Sequence, residues 1–144
     1  MISGGKNDLS KLKKMGEILP NRPQFHFLPQ EELIKLYNIA DLYVHPSEVE
    51  LESMSVLEAI ACGLPALISD SKHSAANQFA LNDLFLFKSN SVENLVAKIN
   101  YWIEHEDELK YFRKQYHELS REYTINESIR KLEEVYFRHA KNRS

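Results

Sequence analysis

Between residues 42 and 68 the chain changes its hydrophobic period twice, and that stretch constrains the fold more than any other. Leu42 to His45 is a short apolar run of strand type, and Ala66-Leu67-Ile68 is another. Between them Leu57, Ile60 and Ala61 lie on one helical face, introduced by Ser55 and Glu58 in the S-x-x-E order of a capping box and closed by Gly63 and Pro65. A strand, a helix and a strand in so short a span make a βαβ unit, which belongs in a parallel sheet.

The alternation extends in both directions. Leu9, Leu12, Met15 and Ile18 predict a helix stopped by Pro20 to Pro23. Phe25 and Phe27 alternate with polar residues as in a strand ended by Pro29, and Leu33, Leu36, Tyr37 and Ala40 mark a second helix. Downstream, Leu84 to Phe87 reads as a strand, and Val92, Leu95, Ile99 and Trp102 as the face of a longer helix. From about Glu104 the chain is charged and helical, with one stripe through Leu109, Phe112, Tyr116 and Leu119. A Thr124-x-x-Glu127 capping box then introduces Ile129, Leu132, Val135 and Tyr136. The aromatic residues at 111, 112, 116, 123, 136 and 137 read as core and helix packing. The expected fold is α/β: a Rossmann-like parallel sheet with helices on both faces and C-terminal helices packed alongside, in one domain over 1–144.

Composition narrows the function. Eighteen basic against 21 acidic residues leave a net charge of -3, which disfavours nucleic acid as a partner. The single Cys62 closes no intrachain disulfide and reads as a small hydrophobe; with neither a secretory signal nor a membrane-spanning run in view, the cytoplasm is the expected location. Met1-Ile2-Ser3-Gly4-Gly5 reads as the end of a strand entering a glycine turn, so the expectation is a chain truncated at its N-terminal side.

Ligands of open parallel sheets bind outside the carboxyl ends of the strands. Three loops meet that condition here: 3–6, 46–55 and 69–78. The second carries Glu50 on the loop and Glu58 early in the helix, with seven residues between them. A helix N-terminus between two carboxylates suits a nucleotide sugar: free backbone N–H groups and the helix dipole favour a diphosphate, and carboxylates accept sugar hydroxyls. Each residue also has a plainer reading. Glu58 is explained by a capping box with Ser55, and Glu48, Glu50 and Glu52 by a solvated acidic run. His45, Glu48 and Glu50 show no zinc spacing and no Asp-x-Asp occurs, so no metal or other cofactor is expected.

Pro46-Ser47-x-x-Glu50, seven residues, then Glu58-Ala59-x-Ala61-x-Gly63-x-Pro65 resembles the signature of retaining GT-B glycosyltransferases of family 4, the "glycosyl transferases group 1" type. The resemblance extends upstream through Phe27-Leu28-Pro29 and Leu36 to Asp41, and downstream through Ser69-Asp70 to Leu84–Phe87. It covers nearly the whole chain, as the C-terminal donor-binding domain of a two-domain enzyme. It implies that Glu50 contacts the donor hexose beside the reacting carbon and that Glu58 binds the ribose hydroxyls. By the same resemblance, amides around Met54, Ser55 and Val56 would face the phosphates, Gly4 and Gly5 would lie nearby, and the loop after Phe27 would border the base. Lys72 would supply a phosphate contact from the neighbouring loop.

Where the family has Gly-Phe-Gly after the first glutamate, this chain has Leu51-Glu52-Ser53, and Ser71 to Ala76 replaces the later Gly-Gly and glutamate. Glu-Ser-Met-Ser with Ser-Ala-x-x-Gln-Phe-Ala-Leu is similar to bacterial lipid-directed α-glucosyltransferases. The implied activity is transfer of a hexose, glucose first, from a UDP-sugar to a lipid or glycan acceptor with retention of configuration. The acceptor would be held by an N-terminal domain absent from this chain, which alone would be inactive. The full enzyme would touch the inner face of the membrane peripherally. The rival readings are a non-catalytic nucleotide-sugar-binding or interaction module that pairs with a separate chain, and a flavodoxin-like signalling domain. The latter lacks an acidic pair to accompany Asp70.

Overall fold

The computed structural model describes residues 6–141, with side chains from 9 to 139; Gly4 and Gly5, expected near the phosphates, lie outside the described residues. These residues fall into two compact units that meet in sequence between Leu33 and Ile34.

The first unit holds helix α1 (Lys6–Glu17) and the start of α2 (Gln30–Ile39). Helix α1 stops one residue before Ile18, and Leu19 N–H returns to the Gly16 carbonyl at 3.2 Å. Gly16 is required there: a Cβ would stand 2.5 Å from Cγ of Pro23. No strand forms at Phe25 and Phe27, contrary to the alternation, and Phe27 is 90% exposed. Alternating polarity stabilises a strand only when a ladder partner takes its backbone groups, and residues 22–29 have none among the described residues.

The second unit contains a parallel three-stranded sheet in the order β1 (Tyr43–His45), β2 (Ala66–Ser69), β3 (Leu86–Phe87). The βαβ unit read from the sequence is present, with α3 (Met54–Ala61) between β1 and β2. All four residues of β2 are buried, so both faces of the central strand are covered. The strand expected from Leu84 is shorter, because the Asn82 side chain accepts the Leu84 N–H at 2.9 Å and starts a 3-10 turn over Asp83–Phe85.

Helix α3 ends in a Schellman motif. Leu64 N–H reaches the Ala59 carbonyl at 3.0 Å and Gly63 N–H the Ile60 carbonyl at 2.9 Å, with Gly63 left-handed at φ +69. Helices α4 (Val92–Glu104) and α5 (Glu106–Ser120) close the core, where Phe85 stacks on Trp102 at 4.5 Å and meets Phe112 and Tyr116 edge-on at 5.0 Å each. Helix α5 also caps its neighbours. The Arg113 guanidinium donates to the Ala40 carbonyl at 2.7 Å, and the Tyr116 hydroxyl donates to the Ala66 carbonyl at 3.2 Å.

Helix α6 (Ile125–Lys141) follows. Half of its expected capping box forms: Glu127 N–H donates to Thr124 Oγ1 at 3.4 Å, while the Glu127 carboxylate turns to Arg130. Its stripe through Ile125, Ile129, Leu132 and Tyr136 is exposed, as are Phe137 and, on α5, Tyr111. The core reading of the aromatics therefore holds for 112, 116 and 123 and fails for 111, 136 and 137. Helical spacing identifies a common face but not whether anything covers it. Among the described residues no helix is long and apolar enough to cross a membrane.

Candidate functional site

The loop from Pro46 to Ser53 leaves the carboxyl end of β1 and enters α3 through an unexpected cap. Ser53, not Ser55, is the N-cap residue; it is left-handed at φ 53 and ψ 43, and its side chain makes no cap bond. The capping box of Ser55 and Glu58 does not form. Both residues lie inside the helix, two positions past those a capping box with N-cap Ser53 would use. The plain structural explanation of Glu58 is thereby removed.

Ser53 is 2% exposed and its hydroxyl has no partner. Its carbonyl takes the N–H groups of Val56 at 2.9 Å and Leu57 at 3.2 Å, so the Val56 amide is already committed and its side chain belongs to the core. The amides of Met54 and Ser55 meet no acceptor among the described residues.

The acidic loop is not a free solvated run. Glu50 forms an isolated parallel bridge with Ser74: its N–H donates to the His73 carbonyl at 3.3 Å, and its own carbonyl accepts the Ala75 N–H at 2.9 Å. Ser71 Oγ donates to the Glu48 carbonyl at 2.6 Å, a second tie between the loops after β1 and β2. Glu48 and Glu52 are exposed, whereas Glu50 is half-buried. Lys72 projects from the same paired loop and is exposed. Asp70 is engaged elsewhere, its carboxylate accepting the Ser89 N–H at 2.7 Å.

Tyr43 and His45, which the sequence placed in a strand, lie within the electrostatic reach of the glutamates, Tyr43 of both Glu50 and Glu58 and His45 of Glu50. They project from the same face of β1, with rings stacked at 6.0 Å, and Tyr37 meets Tyr43 edge-on at 5.9 Å. Burial, and then the negative charge of Glu50 and Glu58, pushes the Tyr43 hydroxyl above its ordinary pKa, with the Ser55 hydroxyl acting in the opposite sense. Tyr37 is pushed up to about 12, by burial first and then by Tyr43, Glu58 and Cys62. Burial lowers the His45 pKa against an opposing pull from Glu50, which keeps the imidazole neutral near pH 7. The signal for this cluster was the i, i+2 spacing of Tyr43 and His45, which put both on one face of a strand ending at the loop.

Cys62 is half-buried rather than buried, and burial followed by Glu58 raises its thiol pKa, the opposite of what a nucleophile needs. A cavity of about 290 Å³ opens elsewhere, lined in part by Asp41, Leu42, Trp102, Leu109, Lys110 and Arg113. It lies beside the residues preceding β1 and contains neither glutamate, so the chemistry is not placed there. The arrangement at the carboxyl end of the sheet instead offers two unbonded helix amides, a half-buried glutamate on an anchored backbone and a second carboxylate on α3.

The chain matches the family model described as "Glycosyl transferases group 1" over residues 1–119. Among solved structures it is similar to the catalytic domain of cholesterol-alpha-glucosyltransferase from Helicobacter pylori, at 35% identity and a TM-score of 0.76; the match covers 81% of this chain and 74% of that one. No curated protein matches the chain.

Proposed function

Because the chain belongs to the glycosyl transferases group 1 family, we propose that the loops after β1 and β2 bind a UDP-hexose as donor for a retaining glycosyl transfer. In this reading Glu50 accepts hydroxyls of the hexose beside the reacting carbon, and Glu58 accepts the ribose hydroxyls. The pyrophosphate meets the free amides of Met54 and Ser55 at the positive end of α3, with Lys72 closing from the paired loop. These groups stabilise the charge that develops on the leaving diphosphate, which gives the site its catalytic use without a metal.

The observation that carries the reading is the Glu50–Ser74 bridge. It fixes the Glu50 backbone, in a residue half-buried among exposed acidic neighbours, and does so beside a helix start with unspent donors. A loop serving only solubility has no need of that anchoring.

The chain is read as the C-terminal donor domain, acting with an N-terminal acceptor domain. The name of the Helicobacter neighbour supports glucose as the sugar and a lipid as the acceptor, and hence work at a membrane surface. The exposed apolar stripe of α6 favours a second reading, a non-catalytic module that pairs with another chain. Calorimetric titration with UDP-glucose tests the first. Glu58→Ala and Glu50→Ala should each weaken binding by about tenfold, the worth of a hydrogen-bonded carboxylate; unchanged affinity in both variants would remove their assigned roles.

A further inference from the structure

His45 ends β1 directly before the loop that carries Glu50, and the residue is 6% exposed. Its two nitrogens differ. Nδ1 lies 3.4 Å from the Tyr43 hydroxyl, whereas Nε2 is buried with no hydrogen-bond partner among the described residues. A buried donor without an acceptor is costly, so such a group is either a defect or one whose partner arrives later. Tyr43 favours the second alternative. A Tyr43 hydroxyl that donates across this 3.4 Å contact to Nδ1 leaves the imidazole proton on the unpartnered Nε2. Glu50 lies on the loop that leaves β1 at His45, and among the described carboxylates it is the one whose charge acts on both His45 and Tyr43.

We propose that His45 is the positioning residue for Glu50: its Nε2–H donates to the Glu50 carboxylate when the donor sugar is bound, and Tyr43 holds the imidazole in the tautomer that allows this. The backbone bridge to Ser74 already fixes the Glu50 main chain, so only side-chain rotation remains to be set. The neutral imidazole orients the carboxylate without cancelling its charge, leaving its other lone pairs for sugar hydroxyls. The inference rests on the donor reading above.

The test compares UDP with UDP-glucose on the intact chain. His45→Gln keeps an N–H near the Nε2 position, and His45→Asn keeps only the Nδ1 position. Wild type and His45→Gln should bind UDP-glucose about tenfold more tightly than UDP, a charge-assisted hydrogen bond's worth. His45→Asn should lose that preference while binding UDP as wild type does, which also shows that the variant is folded. Tyr43→Phe should lose part of it. A His45→Asn protein that keeps the full preference overturns the proposal, as does one that loses UDP and UDP-glucose binding in parallel while His45→Gln does the same, because His45 is then purely structural. A wild type that binds neither molecule overturns the donor reading itself.

Discussion

Ser53→Gly should make the protein more stable, although it removes a buried side chain. Ser53 is held left-handed at φ 53, a conformation that costs an L-residue roughly 1–2 kcal/mol and glycine almost nothing. Its buried hydroxyl has no partner, and deleting such a group returns about 1–2 kcal/mol more. Against this stand about 0.5–1 kcal/mol for the freedom glycine adds to the unfolded chain and roughly 1 kcal/mol for lost packing. The net gain is about 1 kcal/mol, or roughly 4 °C in Tm for a chain of this length. Urea unfolding followed by circular dichroism reads it as a higher midpoint with unchanged slope. The glycine that the family resemblance implies at this position is then explained by the left-handed backbone and the unpartnered hydroxyl together. A lower midpoint would refute the reasoning, because the Ser53 side chain would have to be supporting the loop.

Three further outcomes follow from the same structure. Gly63→Ala should destabilise by about 2 kcal/mol, since its Cβ would enter a left-handed site 3.1 Å from the Arg113 carbonyl oxygen; thermal melting checks it. Tyr116→Phe should cost about 1–2 kcal/mol in urea unfolding, because the hydroxyl donates to the Ala66 carbonyl at 3.2 Å and accepts the Leu81 N–H at 3.5 Å. Stability should fall in alkali. The Tyr37 pKa is raised on folding, so its contribution is complete below the ordinary phenol value of about 10 and is lost as the pH rises through about 12. Tyr37→Phe should flatten that decline in an alkaline unfolding series.

Much of the architecture was legible because periodicity reports burial. The face of α5 through Leu109, Phe112, Tyr116 and Leu119 packs as its spacing predicts, and Gly63 followed by Pro65 marks the end of α3 correctly. What was not legible depends on contacts distant in sequence. Ser55 and Glu58 have capping-box spacing, but the loop tied by the Glu50–Ser74 bridge enters the helix at a left-handed Ser53, which takes the cap position instead. Phe25 and Phe27 have strand spacing with no strand beside them. The Tyr43–His45 pair has only its i, i+2 spacing in the sequence; the fold shows that it lies near Glu50. The stripe on α6 was read correctly as a helical face, yet Ile129, Leu132 and Tyr136 remain exposed.

The central claim is that the start of α3, between Glu50 and Glu58, receives the donor diphosphate. Amide NMR during a titration with UDP tests it most directly, because the Met54 and Ser55 amides are the unspent donors. The account predicts that these two signals shift downfield and saturate together, followed by Lys72 and the Glu50–Ser74 bridge. Shifts confined to the cavity residues Asp41, Trp102 and Arg113, with Met54 and Ser55 unmoved at saturation, would contradict it.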